Sequence, residues 1–237
     1  MVSDTIDRRH RASRQLGVRH LFGPEQSSVV GVYCETLAQA TAPSRGAFGH
    51  NEPDVRMRRF VAMPKLVLLN GPPGVGKSTL ARRYADEHPM TLALEIDVIR
   101  AMLGSWLEES DRSGLAARRI ALEAATTHLQ SGYDVIVPQL LTRREFADEL
   151  RAAAEGAGAT FHDVTLVDAK DVVLERAMNR PEAGGFSARA LVARQGNSLE
   201  GAFDRFMEAL ANRPDAVVID GELAGDPYDT LVRYLDC

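Results

Sequence analysis

Residues 66–79 read Leu66-Val67-Leu68-Leu69-Asn70-Gly71-Pro72-Pro73-Gly74-Val75-Gly76-Lys77-Ser78-Thr79. The apolar run at the start is typical of a buried strand, and it leads directly into a glycine-rich turn of the pattern GxxxxGK[ST]. In the residues that follow, Leu80, Ala81 and Tyr84 share one side of a predicted helix. Backbone N–H groups of such a turn, placed at a helix N-terminus, can surround a phosphate. The sequence therefore predicts that Gly71 to Thr79 form a nucleotide-binding loop.

Two residues of this loop have specific expected roles. The pattern predicts that the Lys77 ammonium contacts the β- and γ-phosphates and that the Ser78 hydroxyl binds Mg²⁺. The expected cofactors are therefore ATP and Mg²⁺, with the choice between ATP and GTP left open.

Charge divides the chain of 237 residues into two parts. Residues 1–62 hold nine Arg and six Asp or Glu, a net charge of +3, whereas residues 63–237 hold 19 basic and 27 acidic residues, a net charge of −8. The first part is punctuated by Gly, Pro and Ser and has few apolar residues, which favours a flexible extension over a folded regulatory module. We expect the catalytic domain to be residues 63–237. Its acidity favours a small-molecule partner over nucleic acid.

Other bulk features narrow the class of protein. No apolar run approaches the roughly 20 residues that cross a bilayer, and the N-terminus lacks the apolar segment of a secretory signal. We therefore expect a cytoplasmic protein that does not enter a membrane. The two cysteines and six histidines show no metal-ligand spacing. Nothing in the sequence indicates the oligomeric state.

Strand and helix patterns alternate from Lys65 to the end of the chain. Strands are predicted at residues 65–70, 92–96, 134–137, 160–167 and 216–219, and helices at residues 77–87, 98–107, 115–130, 143–155, 170–178, 187–211 and 227–235. This alternation predicts an α/β protein with the three-layer fold of P-loop NTPases, a mainly parallel five-stranded sheet and a helical lid.

Asp97 is a candidate general base, because it follows the second predicted strand. Carboxyl ends of parallel strands meet at the ligand crevice, where a carboxylate can accept the proton of an attacking hydroxyl. The alternative is that Asp97 only caps the next helix. Arg100 lies one helical turn further along and is a candidate for binding the substrate.

The loop, Asp97 with Arg100, and later arginines together resemble the small P-loop kinase group. This group includes polynucleotide 5′-hydroxyl kinases, chloramphenicol phosphotransferase, zeta-type toxins and gluconate kinases, and the resemblance covers roughly residues 64–236. It implies that Asp97 acts as base toward an acceptor hydroxyl. Arg176 and Arg180 are similar to arginines in the lid of gluconate kinases, which implies that they stabilise the transferred phosphate.

The third predicted strand departs from the pattern of related kinases. It ends in Pro138-Gln139, where an acidic residue is expected near the metal. Either Asp97 helps to hold the metal through water, or Gln139 contacts the substrate. Arg143 could meet an anionic acceptor there, or it could lie on a helix surface.

These features favour a Mg²⁺-ATP-dependent kinase that phosphorylates a hydroxyl of a small molecule. A polynucleotide 5′-hydroxyl kinase would use the same residues but needs a basic groove. A nucleotide-binding regulatory ATPase or switch protein is the alternative of another class. The sequence does not identify the phosphate acceptor.

Overall fold

A computed structural model describes residues 63–179, 198–213 and 215–237, together with the backbone of Arg19–His20. The strands are β1 Arg19–His20, β2 Lys65–Asn70, β3 Leu92–Ala93, β4 Val135–Gln139, β5 Thr160–Val167 and β6 Val217–Asp220. The helices are α1 Lys77–Glu87, α2 Ile96–Ala101, α3 Ser110–Gln130, α4 Glu145–Gly156, α5 Lys170–Asn179, α6 Leu199–Leu210 and α7 Pro227–Leu235.

The strands form one sheet in the order β1-β6-β5-β2-β4-β3, and every neighbouring pair is parallel. After β4 the chain crosses from one side of β2 to the other, so the strand order reverses at β2. Ligands bind at such a switch point, outside the carboxyl ends of the strands. The predicted parallel sheet of five strands is confirmed, and the nucleotide-binding loop leaves its central strand.

Side chains of β2 alternate between two hydrophobic cores, as the period of a strand requires. Leu66 and Leu68 pack with residues of α3 and α4 on one face of the sheet. Val67 and Leu69 pack with residues of α1 and α7 on the other face. All four side chains are fully buried. A strand covered on both faces must be apolar throughout, which is why its sequence lacks polar alternation.

Three predicted boundaries differ from the observed ones around the second strand. β3 is only two residues long, because the chain turns away and Ile96 enters the core as the first residue of α2. The predicted helix 98–107 ends at Ala101, before Ser105, whose φ of 52° interrupts the helical backbone. α3 begins at Ser110, five residues earlier than the apolar periodicity indicates, because its first turn is polar.

Some predictions fall outside the described residues. Arg180 and the segment 180–197, which includes the predicted lid, lie there, so only Leu199–Leu210 of the predicted helix 187–211 can be assigned. The domain boundary between residues 62 and 63 stays a prediction. The backbone of Arg19–His20 pairs with Val217 and Val218, which adds a short strand that the sequence analysis did not predict.

A buried ion pair fastens the chain after α6 to the sheet. Arg213, only 6% exposed, donates to the carboxylate of Asp163 on β5. Asp163 lies in register with Leu68 of the central strand. Removing one partner of a buried pair leaves the other charge without compensation, which costs more than losing both.

We expect Arg213→Leu to lower the free energy of unfolding by about 3–5 kcal/mol, because it leaves the Asp163 charge uncompensated. The double variant Asp163→Leu/Arg213→Leu should retain more stability than the single variant. Urea unfolding followed by circular dichroism measures both. Arg112→Leu, in the exposed pair with Glu109, is the control and should change stability by less than about 1 kcal/mol. Equal losses in Arg213→Leu and Arg112→Leu would contradict the prediction.

Candidate active site

Close packing fixes the shape of the loop between β2 and α1. A Cβ atom at Gly71 would lie 2.7 Å from the carbonyl oxygen of Leu166, near the end of β5. Gly74 has a φ of +92°, and a Cβ atom there would overlap the Val173 carbonyl oxygen of α5. A side chain at either position would therefore push the loop away from β5 or α5.

The N-terminus of α1 is open for an anion. Its N-cap is Gly76, in a left-handed conformation and without a side-chain hydrogen bond, and its first turn contains no acidic residue. The first N–H groups of a helix have no partner within the helix, and the helix dipole favours negative charge beside them. These residues therefore fit a phosphate.

The remaining loop residues differ in their surroundings. The Lys77 ammonium donates to the Pro72 carbonyl oxygen at 2.8 Å, so the positive charge lies over the loop. Ser78 is half-buried at the second position of α1, whereas Thr79 is exposed. Val75 is buried against the core. Pro73 is half-buried.

Asp97 lies at the second position of α2, immediately beyond the carboxyl end of β3. Its side chain makes none of the described hydrogen bonds that cap this helix. Burial raises the pKa of the Asp97 carboxyl, and the positive charges of Arg100 and Lys77 oppose that shift. A half-buried carboxylate beside the lysine of a phosphate-binding loop has the chemistry of a general base.

Arg100 supports α2 from inside the protein. It is 7% exposed, and its guanidinium donates to Ser113 Oγ at 3.0 Å and to the carbonyl oxygen and Oγ of Ser110. Both serines belong to α3. The predicted substrate-binding role of Arg100 stays a prediction. In this arrangement its hydrogen bonds hold α2 against α3, and its charge acts on Asp97.

Asn70 is a functional candidate that the sequence analysis missed. Its fully buried side chain accepts hydrogen bonds from Gly71 N at 3.0 Å and Leu141 N at 2.8 Å, and donates to the Leu141 carbonyl oxygen at 3.2 Å. It thereby joins the start of the loop to the segment after β4. The sequence feature that could have indicated Asn70 is that it is the one amide residue at the end of the apolar strand β2.

Gln139 lies beside Asn70 at the carboxyl end of β4. Its Oε1 atom is buried and has no hydrogen-bond partner among the described residues. Arg143, also a predicted substrate residue, is exposed just before α4. Asp134 lies at the opposite end of β4, where it accepts from Lys65 N at 2.8 Å. No acidic residue of β4 therefore reaches the loop.

A second missed candidate is Arg118 of α3. Its guanidinium carbon lies 5.3 Å from the ring centre of Phe146 in α4. Burial raises the pKa of Asp97, and Arg118 is among the positive charges that oppose this shift. The sequence offered no signal that separates Arg118 from the other 24 arginines of the chain.

A cavity of about 290 Å³ lies on the other side of the loop, beside Val75. Arg176 lines it and pairs with Asp168 at 2.9 Å, and Gly221 forms part of the opposite wall. Gly221 N donates to the Val167 carbonyl oxygen at 2.8 Å, and a Cβ atom there would lie 3.0 Å from Asp168 Cγ. Arg176 thus lies beside a cavity near the loop, while Arg180 is not described.

The described residues contain neither a metal-ligand cluster nor a membrane-spanning helix. Within residues 63–179, 198–213 and 215–237, no three His, Cys, Asp or Glu residues are placed to hold a metal ion together. The same residues contain no helix with the length and apolar character that crossing a membrane requires.

The chain is similar to several proteins of known structure. A sugar kinase from Janibacter sp. HTCC2649 is 20% identical and covers 73% of this chain and 93% of its own, with a TM-score of 0.51. A candidate kinase from Chloroflexus aurantiacus is 20% identical over 73% of this chain and 94% of its own, also with a TM-score of 0.51. At this identity the likeness establishes the fold.

A gluconokinase from Sinorhizobium meliloti 1021 is 20% identical over 73% of this chain and 95% of its own, with a TM-score of 0.45. No curated protein sequence matches the chain. The AAA-domain family, in contrast, matches residues 66–220, from β2 to the end of β6. The chain therefore belongs to the AAA-domain family, and the resemblance to the small P-loop kinase group that its sequence indicates is confirmed.

Proposed function

We propose that this protein is a Mg²⁺-ATP-dependent kinase that transfers the γ-phosphate to a hydroxyl group of a small molecule. The supporting observation is the surroundings of Asp97, a half-buried carboxylate at the carboxyl edge of the sheet on which the charges of Lys77 and Arg100 act. Phosphoryl transfer to a hydroxyl needs a base and a cation close to the transferred group.

The reaction follows from these positions. Asp97 accepts the proton of the acceptor hydroxyl while that oxygen bonds to the γ-phosphorus. The bond from this phosphorus to the oxygen shared with the β-phosphate breaks, and its electron pair leaves with ADP. Lys77 stabilises the negative charge on the phosphates. The proton on Asp97 then passes to solvent, which restores the base.

The residues of the loop fit ATP and Mg²⁺. The uncapped N-terminus of α1 and the Lys77 ammonium suit the phosphates. Ser78 would supply a hydroxyl ligand to Mg²⁺, and phosphate oxygens and water would complete the shell, as is common for this ion. When bound, Mg²⁺ neutralises charge on the phosphates. Asp97 would be a candidate for holding one of its waters.

We assign the nucleotide base to the cavity beside Val75. This cavity approaches the size of small-molecule sites and adjoins the phosphate-binding loop. The Asp168–Arg176 ion pair forms one wall. We propose that Arg176 acts on the nucleotide from this side and that Arg180 helps to stabilise the transferred phosphate. Arg143, exposed beyond β4, remains a proposed acceptor contact.

The charge of the domain supports a small acceptor. Residues 63–237 carry a net charge of −8, which repels a polynucleotide unless a basic groove offsets it. A regulatory ATPase would need no acceptor. Transfer of phosphate to a hydroxyl compound therefore distinguishes a kinase from a regulatory ATPase.

We expect Asp97→Asn to lower kcat by about 10²–10⁴-fold, because the acceptor oxygen then keeps its proton. The test is transfer of labelled γ-phosphate from ATP by the full chain to a panel of sugars, nucleosides, aminoglycosides, phenicols and 5′-hydroxyl oligonucleotides. ATP binding by the variant, measured by calorimetry, should stay close to wild type.

The outcomes of this assay separate the hypotheses. Label in a small molecule that disappears in Asp97→Asn supports the proposal. Label only in oligonucleotides would replace it with a polynucleotide kinase. Slow phosphate release without any labelled acceptor, unchanged in the variant, would replace it with a nucleotide switch.

The acidic limb of the pH–rate profile should have its midpoint at a higher pH than the ordinary pKa of an aspartate. Burial raises the pKa of Asp97, and the base works only when unprotonated, so activity is lost as the pH falls through that pKa. The charge of Arg100 opposes the shift. Arg100→Gln should therefore move the limb to higher pH in a plot of kcat/KM for the acceptor against pH. A limb that stays in place would remove Asp97 as the titrating base.

We expect Gly221→Ala to raise the KM for ATP by about tenfold with a smaller effect on kcat. The new Cβ atom would press on Asp168 and shift its pair with Arg176, which forms the wall of the base cavity. Gly156→Ala is the control, because a Cβ atom there meets nothing within 4 Å. Equal KM values for ATP in both variants would place the base elsewhere.

A further inference from the structure

We propose that Arg118 determines acceptor specificity by binding an anionic group of the acceptor, a carboxylate or a phosphate. This inference rests on the proposed kinase function and concerns the same site. It is carried by the position of Arg118 on α3, by its unpaired guanidinium and by a buried amide oxygen at the neighbouring strand end.

The fold brings Arg118 to the side of α3 that faces α2. A Cβ atom at Gly114 would lie 3.7 Å from the guanidinium carbon of Arg100. The side of α3 that carries Gly114 therefore faces Arg100 of α2. Residues four apart share a face of a helix. Arg118 therefore follows Gly114 on this side, one turn beyond Arg100.

The Arg118 guanidinium lies over the ring of Phe146. The guanidinium carbon lies 5.3 Å from the ring centre, within the range of a cation–π contact. Phe146 is buried in the first turn of α4, which follows the segment that Asn70 holds. An arginine stacked on a ring keeps its N–H edge available, and this fork matches the two oxygens of a carboxylate or phosphate.

The charge of Arg118 acts on Asp97, but it has no close counter-charge in the described part of the chain. Its guanidinium has no ion pair or hydrogen bond there, although the side chain is half-buried. Arg100, by contrast, makes hydrogen bonds to Ser113 and Ser110. A half-buried guanidinium with no hydrogen-bonded counter-ion has N–H groups that an anionic ligand can use.

Gln139 supplies a second polar group on the same side of the loop. Its Oε1 atom is buried and unpartnered among the described residues, so it can accept a hydrogen bond from an acceptor hydroxyl. β4, which ends at Gln139, pairs with β3, beyond which Asp97 lies. The proposed acceptor therefore has one hydroxyl at Asp97, a second hydroxyl at Gln139 and an anionic group at Arg118. A small polyhydroxylated acid or a sugar phosphate has these groups.

The experiment compares three acceptors that share the glucose ring but differ in charge: neutral D-glucose, and the anions D-glucuronate and D-glucose 1-phosphate. Steady-state transfer from ATP is measured with the full wild-type chain, Arg118→Gln and Arg118→Lys. We expect wild type to prefer at least one anionic sugar over glucose. Arg118→Gln should raise the KM for that sugar by about 10–100-fold, with the KM for ATP nearly unchanged. Arg118→Lys should restore part of the preference, because it keeps the charge.

Arg119→Gln is the matched control. It removes an arginine from the next position of the same helix, where the side chain is exposed. It should leave every kinetic constant unchanged. Thermal unfolding of all variants checks that loss of the contact with Phe146 has not unfolded α3.

Binding of the three sugars, measured by calorimetry, tests this inference independently of the proposed kinase activity. If no sugar is phosphorylated but an anionic sugar binds and loses affinity only in Arg118→Gln, the anion site stands. The small-molecule kinase proposal is then judged by its own acceptor panel. If the ratio between anionic and neutral sugars is the same in wild type and Arg118→Gln, the inference is overturned. Binding of none of the anionic sugars also overturns it.

Discussion

Contacts between backbone segments at Gly71 and Gly74 hold the phosphate-binding loop, and the rest of the site depends on them. Gly71 approaches the end of β5, and Gly74 approaches α5. The loop is thus supported by elements far away in sequence, including the helix that carries Arg176. A site supported in this way needs little rearrangement to receive phosphate, which lowers the cost of binding.

A row of polar residues across the sheet extends this support to the acceptor side. Gln139, Asn70 and Thr165 lie in register on β4, β2 and β5 at the carboxyl edge. Asn70 uses its amide to fix the chain after β4, while the Gln139 oxygen has no described partner. Neighbouring amides of one row therefore differ: one positions the backbone, and the other has no hydrogen-bond partner among the described residues.

The sequence predicted the loop, the alternation of elements and the parallel sheet, because these depend on local pattern. It did not predict that Arg100 would be buried against α3, since hydrogen bonds to Ser110 and Ser113 form only after the two helices pack. Asn70 and Arg118 were missed for the same reason. Asn70 contacts a residue 71 positions further along the chain, and Arg118 contacts one 28 positions further along. Composition and periodicity do not reveal contacts over such separations.

Electrostatics near Asp97 links catalysis with choice of substrate. Burial raises the pKa of the Asp97 carboxyl. Lys77, Arg100 and Arg118 oppose that shift. In the proposed function Lys77 stabilises the phosphates, and Arg100 is hydrogen-bonded to α3, which leaves Arg118 for the acceptor. An anion bound at Arg118 would offset its charge near Asp97 and make the base stronger once the acceptor has bound. The same arginine would then select the acceptor and adjust the base that activates it.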